Sequence, residues 1–176
     1  MQSAEGPDQH GFVALDAIRK LVRVLGESAR LAQGRTGITG AQLFVLRVLA
    51  DFPGLSINEL AERTMTHQSS VSAVVSRLVA RGLVTRAPAA SDRRKQLVTL
   101  TPRGRALRRT APAVAQEVLV SAIRGLSPAR RRALAVSLRA LTDALGLSEQ
   151  TAPMFFEEED RNQTPRRRRS SVTVHA

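Results

Sequence analysis

One acid and three bases stand together at Asp92, Arg93, Arg94 and Lys95, directly before the alternating run Leu97-Val98-Thr99-Leu100-Thr101. Such a group breaks no bonds; it makes a cationic tip on a strand-like arm. A tip of this kind suits the minor groove of a duplex, where the potential is most negative and arginine is favoured. Asp92 can accept from Arg94 and fix the shape of the tip. A second set lies upstream, in QSSVSAVVSRLVAR, residues 68 to 81. At about 100° per residue, Val71, Val74, Val75, Leu78 and Val79 share one side of a helix. The other side carries Ser69, Ala73 and Ser76, with Ser72 and Arg77 at its edges. That side is slim, polar and free of acids, as a helix entering a major groove must be. Its hydroxyls can donate to phosphate oxygens or base edges, and its N-terminus adds the positive end of the helix dipole. The candidate reading-helix residues are therefore Gln68, Ser69, Ser70, Ser72, Ala73, Ser76 and Arg77. The candidate wing contacts are Asp92, Arg93, Arg94 and Lys95. An amphipathic helix with a solvated serine face, next to a solvated turn, has the same residues, so the neighbouring elements must decide.

The bulk composition narrows the choice. The 176 residues carry a formal net charge of +12, which points to a polyanion, nucleic acid before an anionic membrane surface. Lys20 and Lys95 are the only lysines, so part of the arginine excess is a bias of composition, and position matters more than number. There are no cysteines, which removes disulfides, thiol sensing and any cysteine zinc site. His10, His67 and His175 are far apart in the chain, so no metal site is expected, and no cofactor. No apolar run is long enough to span a membrane, and MQSAEGPDQH lacks a signal pattern, so a cytoplasmic protein is expected. Nothing supports an enzyme: no paired carboxylates share a helical face, and GRTGITG lacks the Lys and Ser/Thr of a phosphate loop.

The elements that must position the two sets follow from periodicity and punctuation. Leu15, Ile18, Val22, Leu25 and Ala29 form one stripe, predicting a helix from Phe12 to about Ala32, broken by GRTGITG. A second helix is expected over 41–51, ended by DFPG. Ser56 and Glu59 make a capping box for a short helix from Ile57 to about Arg63. Thr66 or His67 would cap the next helix, residues 68 to 81, which stops at Gly82. Strands at 83–86 and 97–100 would flank a hairpin loop over 88–96. Thr101-Pro102 and Ser127-Pro128 each set a capping hydroxyl before a first-turn proline. They predict one helix to about Ile123, with Leu107, Ala111, Val114 and Val118 on a face, and another to about Leu145, with Leu134, Leu138, Leu141 and Leu145 on a face.

Residues 38 to 107 resemble the MarR family of transcriptional regulators. The resemblance rests on T-x-x-Q at Thr39 and Gln42, ELA at Glu59 to Ala61, and RL-x-x-x-GLV-x-R from Arg77 to Arg86. Most specific is D-R-R-x-x-x-V-x-LT-x-x-G from Asp92 to Gly104, with Leu97-Val98 at its valine slot. The resemblance implies a mainly α winged helix-turn-helix protein whose flanking helices form a helical dimerisation domain. It also implies a homodimer whose wing arginine, by motif position Arg94, sits in the minor groove. Independently, three apolar stripes exceed what one small core can cover, which marks association.

The expected organisation is a disordered N-terminus over 1–10 and a helical dimerisation region over 11–37 and 102–146. A DNA-binding domain would occupy 38–101, and a disordered charged tail 147–176, containing Glu157 to Asp160 and Arg166 to Arg169. The expected function is a sequence-specific, homodimeric repressor on a pseudo-palindromic operator in double-stranded DNA. A small aromatic or anionic effector would have Phe12, Arg19, Phe44, Arg47 and Phe52 to draw on, but no Cys for a thiol cue and no Trp of the kind some urate-responsive relatives use. The alternative is a non-specific architectural nucleic-acid binder driven by net charge and the arginine tail.

Overall fold

The structure is a computed structural model and describes residues 8–89, 94–155 and 157. Its elements run α1 (Gln9–Thr36), α2 (Gly40–Asp51), α3 (Ile57–Thr64), α4 (Gln68–Ala80), β1 (Val84–Pro88), β2 (Gln96–Leu100), α5 (Pro102–Thr110), α6 (Ala115–Gly125) and α7 (Pro128–Ala144). No helix among the described residues is long and apolar enough to cross a membrane.

Helix α2 is the centre. It touches α1, α3, α4, α5, α6 and β2, and its residues from Gly40 to Leu46 are all buried. Around it Leu43, Leu46, Leu60, Val71, Val74, Val75, Leu78 and Val98 close one aliphatic core. The start of α2 is fixed by Thr39, whose Oγ1 accepts from the Gln42 amide at 3.2 Å. Before it, α1 is longer than its stripe predicts. Asp8 caps it by accepting from the Gly11 amide at 2.9 Å, so Gln9 and His10 are helical rather than loose. At its other end α1 runs through Gly34 and stops at Gly37, which takes a left-handed φ of 69°.

The capping box of α3 is present in both directions: Ser56 Oγ accepts from the Glu59 amide at 3.3 Å, and Glu59 Oε2 accepts from the Ser56 amide at 2.7 Å. The cap expected for α4 is absent. His67 is the N-cap but makes no side-chain cap bond, and Thr66 donates instead to the Thr64 carbonyl. The end of α4 is a Schellman turn on Gly82, with the Leu83 amide donating to Leu78 and the Gly82 amide to Val79.

The strands pair antiparallel, from Val84 opposite Leu100 to Pro88 opposite Gln96, so pairing extends further towards the tip than predicted. Val98 donates its amide to Leu55 at 2.8 Å, which ties β2 to the segment before α3. The base of the hairpin is locked by Thr101, whose hydroxyl donates to Gly82 at 2.8 Å while accepting from the Gly104 amide at 3.0 Å. Gly104 sits so close that a Cβ would meet the Leu83 carbonyl oxygen at 2.1 Å. The glycine of the L-T-x-x-G motif is thus a contact between α5 and the strand entry.

The single helix expected after Thr101 is two. Helix α5 ends at Thr110, Ala111 is extended with ψ 144°, and α6 begins at Ala115. Pro112 is the cause: it has no amide to donate, and its ring drives the preceding Ala111 out of the helical region. The break turns Val114 into the core while Val118 stays 65% exposed, so the continuous face drawn through both does not exist. The unstructured tail expected from 147 also needs correction, because Met154 is buried in the core.

Candidate nucleic-acid interface

Helices α3 and α4 and the hairpin assemble around the predicted residues. On α4, Val71, Val74, Val75 and Leu78 are fully buried. This inward stripe turns Gln68, Ser69, Ala73 and Ser76 outwards, all exposed, with Ser70, Ser72 and Arg77 half-buried along the two edges. Val79, placed on the inner side by periodicity, is 40% exposed at the margin.

The two edges of α4 are held differently. On one, Arg86 of β1 donates to Ser76 Oγ at 3.1 Å and to the Ser72 carbonyl at 3.4 Å. Arg86 faces Val98 across the hairpin, on the inward side of the sheet, and this inward direction brings its guanidinium over the helix. In the sequence it closes the RL-x-x-x-GLV-x-R motif without being a candidate contact, although strand alternation from Val84 places it. On the other edge Arg77 forms an ion pair with Glu157, and Ser70 Oγ donates to the Ala152 carbonyl at 3.2 Å.

At the wing Arg94 and Lys95 are both exposed, and Lys95 also holds the hairpin in place. Its ammonium lies 2.9 Å from Glu59 Oε1, which fastens the hairpin to α3. The Ser56 amide, then the Lys95 ammonium and the Ser56 hydroxyl, hold the Glu59 carboxyl down to about 2 from an ordinary 4.5. Lys95 therefore shapes the wing as well as adding charge to it. Asp92 and Arg93, and with them the expected Asp92–Arg94 clamp, lie outside the described residues.

The candidate effector residues differ in burial and in pairing. Phe44 is buried in the core and Phe12 is 74% exposed on α1. Arg47 is paired with Glu117 at 2.6 Å. Phe52 lies beneath the Arg63 guanidinium at 3.5 Å, and Arg19 is exposed on α1. Among the described residues no group of three or more His, Cys, Asp or Glu could hold a metal ion.

Comparison with known proteins agrees with this architecture. A profile described as MarR family matches residues 36–95. NicR, a transcriptional repressor of Pseudomonas putida, is 33% identical over 107 residues, which cover 61% of this chain and 68% of NicR. A transcriptional repressor of Mycobacterium tuberculosis is 36% identical over 91 residues; the match spans 66% of its length, just under two thirds, and 52% of this chain. Among solved structures, BpsR of Bordetella bronchiseptica, whose DNA binding is regulated by 6-hydroxynicotinic acid, is 32% identical. It superposes with a TM-score of 0.52 over 81% of this chain and 99% of BpsR. Sco3205 of Streptomyces coelicolor, solved in complex with DNA, shares the fold at 24% identity, with a TM-score of 0.57 over 87% of this chain and 98% of its own. With the winged helix-turn-helix in place and relatives matched along most of their length, the chain belongs to the MarR family of transcriptional regulators.

Proposed function

We propose that the protein is a homodimeric, sequence-specific DNA-binding repressor acting in the cytoplasm. Helix α4 enters a major groove and Arg94 reaches the adjacent minor groove. The observation that carries this reading is a pair of exposed features tied to the same helix-turn-helix by side-chain bonds. One is the acid-free outer face of Ser69, Ala73 and Ser76, and the other is the hairpin tip with Arg94, joined to it through Arg86 and the Lys95–Glu59 tether. A twofold pair would set two reading helices about one duplex turn apart, on a pseudo-palindromic site.

Support for the pair comes from the flanking helices. Phe12, Val13, Leu15 and Val22 of α1 are 47–74% exposed, and α7 buries no residue in the single chain. Faces this apolar need cover. A small aromatic or anionic effector belongs to the same proposal, and its support is the regulation of BpsR by a hydroxylated pyridine carboxylate.

The test is a mobility shift on DNA from the gene's own upstream region, with random DNA as competitor. Wild type is expected to prefer the upstream fragment, and Arg94→Ala to lose about 1–3 kcal/mol of that affinity. Equal affinity for random DNA would make the protein a non-specific binder and sink the operator reading.

A further inference from the structure

The carboxylate of Glu157 is enclosed on the α4 side of the molecule, and its partners are not surface lysines. Its side chain is 5% exposed. One oxygen accepts from Thr39 Oγ1 at 2.7 Å; the other accepts from Gln42 Nε2 at 3.3 Å and from the Arg77 guanidinium. Thr39 and Gln42 are the T-x-x-Q pair at the start of α2, and Arg77 lies on the edge of α4. The Thr39 oxygen accepts from the Gln42 amide as a helix cap and donates its own hydrogen to Glu157, so one hydroxyl serves both the cap and the carboxylate. The segment is anchored twice more. Met154 is 2% exposed in the main core, and the Ala152 carbonyl takes the Ser70 hydroxyl. A segment with one buried apolar anchor and a carboxylate read by three donors is docked, not draped.

What it docks on is the reading helix. Ser70 and Arg77 are two turns apart and lie on one edge of α4. In a major groove the edges of such a helix meet phosphates, and an edge guanidinium is a phosphate ligand. Here that guanidinium is neutralised by a carboxylate, and the hydroxyl is used by a backbone carbonyl. A phosphate approaching the same edge meets a guanidinium already paired with a carboxylate, so the attraction is reduced. In the sequence Glu157 opens a run of four acids, Glu157 to Asp160, in a chain that is otherwise strongly basic.

We propose that Thr39, Gln42 and Arg77 form a carboxylate cradle whose occupant is the chain's own segment around Met154 and Glu157, and that this docking competes with DNA for α4. The competition rests on the DNA-binding reading above; the cradle itself does not. Since the chain has no cysteine, Thr151→Cys gives one labelling position on the full-length protein. The fluorescence anisotropy decay of a dye there reports whether the segment is held, with Glu157→Gln as the comparison. A held label in the wild type, freed by Glu157→Gln and by upstream DNA, is expected. Titration of the same DNA at moderate salt should show Glu157→Gln binding about fivefold or more tightly than wild type. A label equally mobile in both proteins overturns the cradle. Equal or weaker DNA binding by Glu157→Gln overturns the competition. If neither protein binds the DNA while the label stays held, the DNA-binding reading fails and the competition falls with it.

Discussion

Helices α4 and α7 each carry an aliphatic stripe of helical period, with opposite results. On α4, Val71, Val74, Val75 and Leu78 are all 0% exposed, covered by α2, α3 and β1. On α7 and its C-cap residue, Leu134, Leu138, Leu141 and Leu145 are 37–64% exposed. A three-and-four repeat says that a helix has a face to cover; it does not say with what. The α4 stripe is covered by residues close in sequence, joined by short turns. The α7 stripe stands beyond the reach of the single core, and the dimer proposed above is what would cover it.

Three variants break or sharpen that contrast. Leu78→Ala should cost about 2–5 kcal/mol in urea unfolding, because it opens a cavity among side chains that cannot collapse. A loss well under ~1 kcal/mol would mean that the α4 side is not the folding core. The double change Leu138→Asp with Leu141→Asp should leave the helix-turn-helix intact but weaken self-association about a hundredfold, roughly 2.7 kcal/mol. Sedimentation at several concentrations reads this directly, and an unchanged dimer would place the interface elsewhere. The smallest effect is local. Ser56→Ala should cost about 1 kcal/mol by removing the cap of α3.

The same corner gives a pH dependence. Glu59 is held at about 2 against an ordinary 4.5, so its folded form binds a proton later than its unfolded form. Its contribution is complete above about 4.5 and is lost as pH falls towards about 2. Glu59→Gln should flatten the stability profile in that window, and an unaltered slope would show that the Ser56 and Lys95 contacts do not survive in solution.

The legible parts of the fold were those whose partners are close in the chain. The capping box at Ser56 and Glu59, and the hydroxyl-proline starts at Thr101 and Ser127, were readable because each bond closes within three residues. The outward serines of α4 were readable because one helix carries them all. The break at Pro112 was written in the sequence too, but the apolar spacing through Leu107, Ala111 and Val114 hid it. The apolar period runs on through the break, but the missing amide of one residue decides where the helix ends.

The rest depended on chain segments that meet only after folding. Glu59 and Lys95 are 36 residues apart, and Glu157 is 115 from Gln42. Helix α6, whose own N-cap residue Val114 has no side chain able to accept, takes its cap from Ser28 of α1, which accepts the Ala115 amide at 2.8 Å. Arg124 closes the end of α3 by donating to the carbonyls of Glu62 and Arg63 at 3.0 and 2.8 Å. The sequence by itself determined the elements, the outward face of α4, the charged hairpin and the family. Which arginine meets a carboxylate, and where Glu157 comes to rest, only the tertiary structure decided. Short-range bonds are set by residue spacing, whereas long-range bonds exist only once the core has brought their ends together.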